Sequence, residues 1–283
     1  APAAVLPGTA TCGPFGETGL FYPVSGPPVS VRPLGPDLAT NAYMDEMANS
    51  NYNSLQVSLR HTSANASLLL GYTYSKCMDN ASQLEEGIDP LNYRVSKGLC
   101  AFDLTHNFVA SYSYMLPLGK FSFAQGPVAS RILKGWIVSG ITTFATGLPV
   151  TISEGDDNSL LGATSDNVDE PNFTPGKILN NTNPRSGLNY FNTSLFSEEP
   201  FGQLGDSNRR FFHGPGLNNF DLALEKDISI TESKHIQFRA EAFNLFNHAQ
   251  FQNPDGNVNS GTFGLVTGVN APRILQMALK FIF

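Results

Sequence analysis

Charge is scarce in this chain. Charged residues make up 14% of its 283 positions, against ~25% in an ordinary soluble domain, so a conventionally solvated surface is not expected. The formal net charge is −7 and the pI about 5.2, which excludes the basic footprint of a nucleic-acid-binding protein. Tryptophan occurs once and cysteine three times. Cys12, Cys77 and Cys100 show no C-x-x-C spacing, which argues against a zinc or thioredoxin-type site. No run approaches the ~18 apolar residues of a membrane helix; that excludes a helical span but not a barrel, whose strands alternate. There is no G-x-S-x-G, P-loop or dinucleotide fingerprint. His61, His106, His213, His235 and His248 form no H-x-x-x-H pair, so neither catalysis nor a cofactor is expected. The first residues, A-P-A-A-V-L-P-G-T-A, hold no basic stretch followed by an apolar core. A leader already removed, or a start inside a larger protein, is the expectation there.

What is abundant points the other way. Aromatics are 11% of the chain, with 21 Phe and 9 Tyr, and there are 26 Gly and 19 Pro. Many aromatics, many turn formers and little charge suit an all-β protein with long loops. The final segment, R-I-L-Q-M-A-L-K-F-I-F, places Leu275, Met277, Leu279, Phe281 and Phe283 on one face at period two, the pattern of a strand with one apolar face. Residues 1–49 are rich in Pro, Gly and Ala and read as irregular loop. From residue 50 onward the alternation recurs, and strands are expected at 50–60, 65–76, 104–116, 134–152, 218–227, 235–246 and 273–283. Gly147 and Pro149 are expected to bend the fourth near one end.

Connection lengths alternate. After the first, third and fifth strands they are short or middling; after the second, fourth and sixth they are long, the longest being 153–217. A loop of that length counts against a compact soluble domain but suits a transmembrane barrel, whose short turns and long extracellular loops lie on opposite ends. The predicted fold is therefore an antiparallel transmembrane β-barrel portion, residues 50–283, with the C-terminus periplasmic and 1–49 outside. Seven strands is an odd number where a single-chain bacterial barrel has an even one, so an incomplete barrel is expected. Asp221, Glu225, Arg239 and Glu241 lie mid-strand opposite apolar faces, where either water or a lumen would accept them.

Several segments carry a family resemblance. N-S-N-Y-N-S-L-Q-V-S-L-R (49–60), G-Y-T-Y-S-K (71–76), D-L-T-H-N-F-V-A-S-Y-S-Y-M-L-P-L-G-K (103–120) and G-W-I-V-S-G-I-T-T-F-A-T-G-L-P-V-T (135–151) resemble the C-terminal barrel half of Oar-like TonB-dependent outer-membrane receptors. So do F-R-A-E-A-F-N-L-F-N-H-A-Q-F (238–251) and P-R-I-L-Q-M-A-L-K-F-I-F (272–283). The resemblance implies a parent protein with an N-terminal carboxypeptidase-regulatory-like sandwich, a plug and a barrel of ~22 strands. Its implied partners are outer-membrane lipid, the barrel-assembly machinery, the missing N-terminal barrel and plug portion with TonB through it, and an unknown solute. Leu275, Met277, Leu279, Phe281 and Phe283 would form the assembly signal, by adding to another sheet edge.

Other candidates are weighed beside blander roles. Cys77 and Cys100 stand at the two feet of one long loop; a disulfide there would contribute ~3 kcal/mol on the loop-entropy model, and two free thiols remain the alternative. Arg209, Arg210, Phe211, Phe212 and His213 mix cations and aromatics on a long loop. They could contact an anionic ligand or sugar, or pack the loop against its neighbours. Asp156, Asp157, Asp166 and Asp169, with Glu154 and Glu170, form a weak calcium candidate without EF-hand spacing; a solvated acidic loop is the simpler expectation. The rival to transport is a structural or adhesive β-rich module that binds a partner through its loops.

Overall fold

The computed structural model describes residues 20–21, 29–30, 47–83, 86, 94, 96–121, 126–156, 158, 170–201, 203–231 and 234–283. Alternating sequence becomes a meander of seven long strands. These are β1 (Ser50–Thr62), β2 (Ala66–Asp79), β3 (His106–Met115), β4 (Trp136–Ala145), β5 (Leu217–Ser229), β6 (His235–Phe243) and β7 (Ile274–Ile282). Each is antiparallel to the next in chain order, and Gly98–Leu99 adds an eighth, two-residue strand beside the end of β2. With 9 to 14 residues, every long strand meets the ~9–11-residue length of a transmembrane strand. β1 and β7 are the edges, and among the described residues the sheet does not close.

The register turns seven separate alternations into two continuous faces. Opposed residues run His61, Leu68, Tyr112, Gly140, Leu222, Ala242, Leu275 across the whole sheet. One position along, the row reads Thr62, Ser67, Ser113, Ser139, Ala223, Glu241, Gln276. Because opposed residues point to the same side, the first row belongs to an apolar face and the second to a polar one. A slip of one residue anywhere would exchange them. Arg239 lies on the polar face and bridges Glu225 at 2.9 Å and Glu241 at 2.5 Å. Gly140 interrupts the apolar row, but a Cβ there would meet Tyr112 Oη at 2.6 Å, so the tyrosine occupies the space the glycine leaves.

The apolar face carries rings at both ends. Toward the long loops lie Tyr72, Tyr74, Phe108, Phe144 and Phe220, linked by centroid separations such as 5.4 Å for Phe144 with Phe220. Toward the short turns lie Tyr112, Tyr114 and Trp136. Lys226 shares that end of the apolar face; its stem is buried and its ammonium donates to the carbonyls of Lys134 and Asp227. Reaching toward the polar strand end while the stem stays apolar is the behaviour of a snorkelling lysine.

Two sequence expectations need correcting. The fourth strand stops at Ala145 rather than 152; beyond it Pro149 bridges His213 and Val150 and Ile152 donate to the 209–212 segment, so the chain has left the sheet for the loops. It also starts at Trp136, because Gly135 turns with φ +78°. The β3–β4 connection, expected only as one of middling length, holds a 3-10 turn, Leu118–Lys120, and a helix, α1 (Pro127–Leu133), with Pro at its first position.

Leu222→Arg, mid-strand on the apolar face, is expected to cost about 2–4 kcal/mol in lipid vesicles, and Ala223→Arg much less. Urea titrations of the two variants in vesicles measure the difference; equal costs would contradict the assignment of faces.

Candidate functional site

All three long connections, 80–105, 146–216 and 244–273, leave the same end of the sheet, and their described residues bond to one another. The longest, expected as a loop, builds a core together with residues of the 244–273 connection. Val150, Ile152, Phe191, Phe196 and Phe212 are buried together, with Phe173, Ile178, Leu179, Leu195, Phe211, Val258 and Phe263 against them. The phenyl rings meet mostly edge-on or tilted, with Phe191 5.1 Å from Phe212 and 5.2 Å from Phe263, the geometry that aromatic quadrupoles favour. Among the described residues the hydrophobic core cluster lies in this cap, and the sheet strands are largely half-buried or exposed.

Arg209 ties the cap to the sheet. Its side chain is fully buried, Nη2 lies 2.5 Å from Asp79 Oδ1, Nη1 2.5 Å from Glu86 Oε1, and Nε donates to Ser96 O at 2.9 Å. Arg210 reaches the same Glu86 oxygen at 2.6 Å and donates to Thr151 Oγ1 at 2.9 Å and Ser82 Oγ at 3.3 Å. The backbone repeats the link, since Leu99 N donates to Arg210 O at 2.9 Å. Phe211 and Phe212 enter the phenyl cluster, and His213 Nε2 stands 2.9 Å from Asp103 Oδ2. Asp103 is itself buried and accepts from Cys77 N at 2.6 Å. The five residues read as a ligand candidate are thus brought together, but facing inward. Their cations are enclosed and already matched by carboxylates, which favours the packing role. The i to i+1 arginine pair was visible in the sequence; Asp79 and Glu86, far upstream, carried no mark there.

Cys77 and Cys100 are joined in a disulfide with Cα atoms 5.4 Å apart. It closes the foot of the 80–105 connection beside the Arg209 cluster. Glu154 and Asp156 lie in the cap, where Asn158 Nδ2 donates to Glu154 at 2.6 Å and Asn259 Nδ2 donates to Asp156 at 3.2 Å. Asp157, Asp166 and Asp169 lie outside the described residues. Among the described residues no group of three or more His, Cys, Asp or Glu is placed to hold a metal ion. Leu275, Met277, Leu279 and Phe281 share the outer face of β7, exposed by 53% or more, with Phe283 just beyond it.

The buried charges set a pH window. Burial pushes the Glu86 carboxyl up, but the Ser82 amide, Arg210 and Arg209 outweigh it and hold it below its ordinary 4.5. Burial pushes Glu170 well above that value, and Arg209 and Arg210 only partly offset it. A depressed acid stabilises above its unfolded value and loses that contribution as pH falls; a raised acid destabilises as pH climbs through its folded value. The cap should therefore be firmest in mildly acidic solution. Amide exchange across residues 203–214 is expected to speed up on both sides of that window. Glu86→Gln should flatten the acid limb and Glu170→Gln the alkaline one.

Removing a partner from the buried network should be costly. Arg209→Met leaves buried Asp79 without its cation and Glu86 with Arg210 alone, and is expected to cost about 3–5 kcal/mol of cap stability, whereas Phe191→Ala should cost about 3–5 kcal/mol through the cavity it leaves. Limited proteolysis of the cap, with strand content followed by circular dichroism, tests both. The sheet signal should persist while the loops are cut.

No curated protein and no solved structure matches the chain. A family model described as outer membrane beta barrel domain matches residues 16–276, nearly the whole length. The apolar outer face, the paired strands and the loops gathered at one end are what such a domain requires, and the chain belongs to that outer-membrane β-barrel family.

Proposed function

We propose that the chain is the C-terminal barrel portion of a TonB-dependent outer-membrane receptor of the Oar-like group. In this reading the cap faces outward and binds a solute, and the polar face lines part of the path that solute takes. The carrying observation is the cap itself. Three long connections form one packed body, stapled by Arg209 to the strand ends, which gives the barrel mouth a defined rather than a floating surface. A lumen lined by Arg239, Glu225, Glu241 and Gln276 suits passage of a hydrated solute. The edges β1 and β7 would meet upstream barrel strands, and the apolar outer face of β7 with Phe283 would be read by the barrel-assembly machinery through strand addition.

Orientation and transport can be tested without knowing the solute. A haemagglutinin tag inserted at Gly187, an exposed turn residue with φ +68°, is expected to be labelled by antibody on whole cells; labelling only after permeabilisation would reverse the orientation. Ala223→Cys in a Cys12→Ser background should react with an external maleimide in energised cells that make TonB. Equal reaction in cells lacking TonB would favour a non-transporting surface module instead.

A further inference from the structure

Helix α1 sits at the end opposite the cap and is oddly dressed. Its exposed residues are Val128, Arg131 and Ile132, spaced as one stripe of a helix, and Val128 and Ile132 are 70% and 58% exposed. The inner stripe, Ala129, Ser130 and Leu133, is partly covered. A helix meeting water would not turn its β-branched side chains outward and place Ala and Ser within. The helix is also fixed in place: Trp136 Nε1 donates to Ile132 O at 2.8 Å. Trp136 belongs to the apolar face, opposed to Lys226, so the last turn of α1 continues that face past the strand ends.

Cations surround the stripe. Lys120, Arg131 and Lys134 are exposed, and the Lys226 ammonium lies 5.9 Å from the Trp136 ring centroid. By sequence the three short connections, 63–65, 116–135 and 230–234, hold a single acid, Glu232, against the four cations Lys120, Arg131, Lys134 and Lys234. The long-loop end, by contrast, carries Asp79, Glu86, Asp103, Glu154 and Glu170. Apolar side chains beside a tryptophan and a ring of cations are what a helix lying in a phospholipid interface presents.

We infer that α1 is an interfacial anchor: Val128 and Ile132 enter the acyl boundary while Lys120, Arg131 and Lys134 hold anionic lipid phosphates. The occupant is the lipid surface because the stripe continues the lipid-facing side of the sheet and its charges match phosphate. This rests on the membrane reading of that sheet.

The single native tryptophan makes the test direct. Trp136→Phe with Val128→Trp leaves one reporting indole on the helix and Trp136→Phe with Leu222→Trp one on the strands; a nitrobenzoxadiazole dye on Val128→Cys in a Cys12→Ser background, whose emission shifts to the blue in the acyl boundary, repeats the helix measurement with Trp136 and its bond to Ile132 O kept. Both chains are refolded into phosphatidylethanolamine–phosphatidylglycerol vesicles with bromines on the upper acyl carbons. Quenching of both indoles is expected. Quenching at 222 but not 128 overturns the anchor and leaves the barrel standing, with water or a protein covering α1. Quenching at neither overturns the barrel reading itself. Adding Lys120→Gln, Arg131→Gln and Lys134→Gln should weaken docking of the helix in anionic vesicles, roughly fivefold per charge at ~1 kcal/mol each, and leave phosphatidylcholine vesicles unaffected. Equal quenching with and without the cations would remove the phosphates from the proposal.

Discussion

A strand in hydrocarbon has no water to satisfy its amides, so every backbone donor and acceptor must find a neighbouring strand. That constraint accounts for the meander, in which each long strand pairs with the next in the chain and short turns suffice on one side. It also explains why register matters more than propensity here. Seven strands with individually modest patterns agree on which side is apolar, and that agreement across strands specifies the sheet. Among the described residues the outer sides of β1 and β7 carry no further strand, so the same demand applies to them.

The apparent inversion of the molecule follows from its solvent. Leu55, Val57, Leu59, Met277 and Leu279 are all more than half exposed, which in water would be a large aggregation-prone surface. The buried residues include instead Arg209, Arg210, Glu86, Asp103 and Glu170. Two guanidiniums face Asp79 and Glu86, and Glu170 stays above the carboxylate range beside them. Burial opposes charge on Glu170, so Asp79 and Glu86 are the carboxylates in direct contact with the two guanidiniums. Such a network is sensitive to loss of any member, because each removal leaves a charge uncompensated in a dry site.

The sheet was legible in the sequence because alternation is a local signal, readable two residues at a time. Strand boundaries held within a few residues where polar turns followed, as after Thr62 and Ser229. They failed at β4, where Val150 to Ile152 keep β-forming composition but Val150 and Ile152 donate to the 209–212 segment. The cap was not legible. Its Phe cluster draws on residues from 150 to 263 with no period linking them, and Arg209 meets Asp79 across 130 positions. Helix α1 escaped because seven residues are too few to establish a 3.6 repeat against a background of strands.

The spacing of those contacts imposes an order on assembly. The Cys77–Cys100 bridge spans 23 residues and can close as soon as β2 and its outgoing loop are in place. The Arg209 contact with Asp79 closes a span of 130 residues, and contacts of such separation form slowly. The cap is therefore a latch set after the wall is built. Until then the three long connections remain unlocked from one another, and the chain can pass through assembly with its loops still threadable.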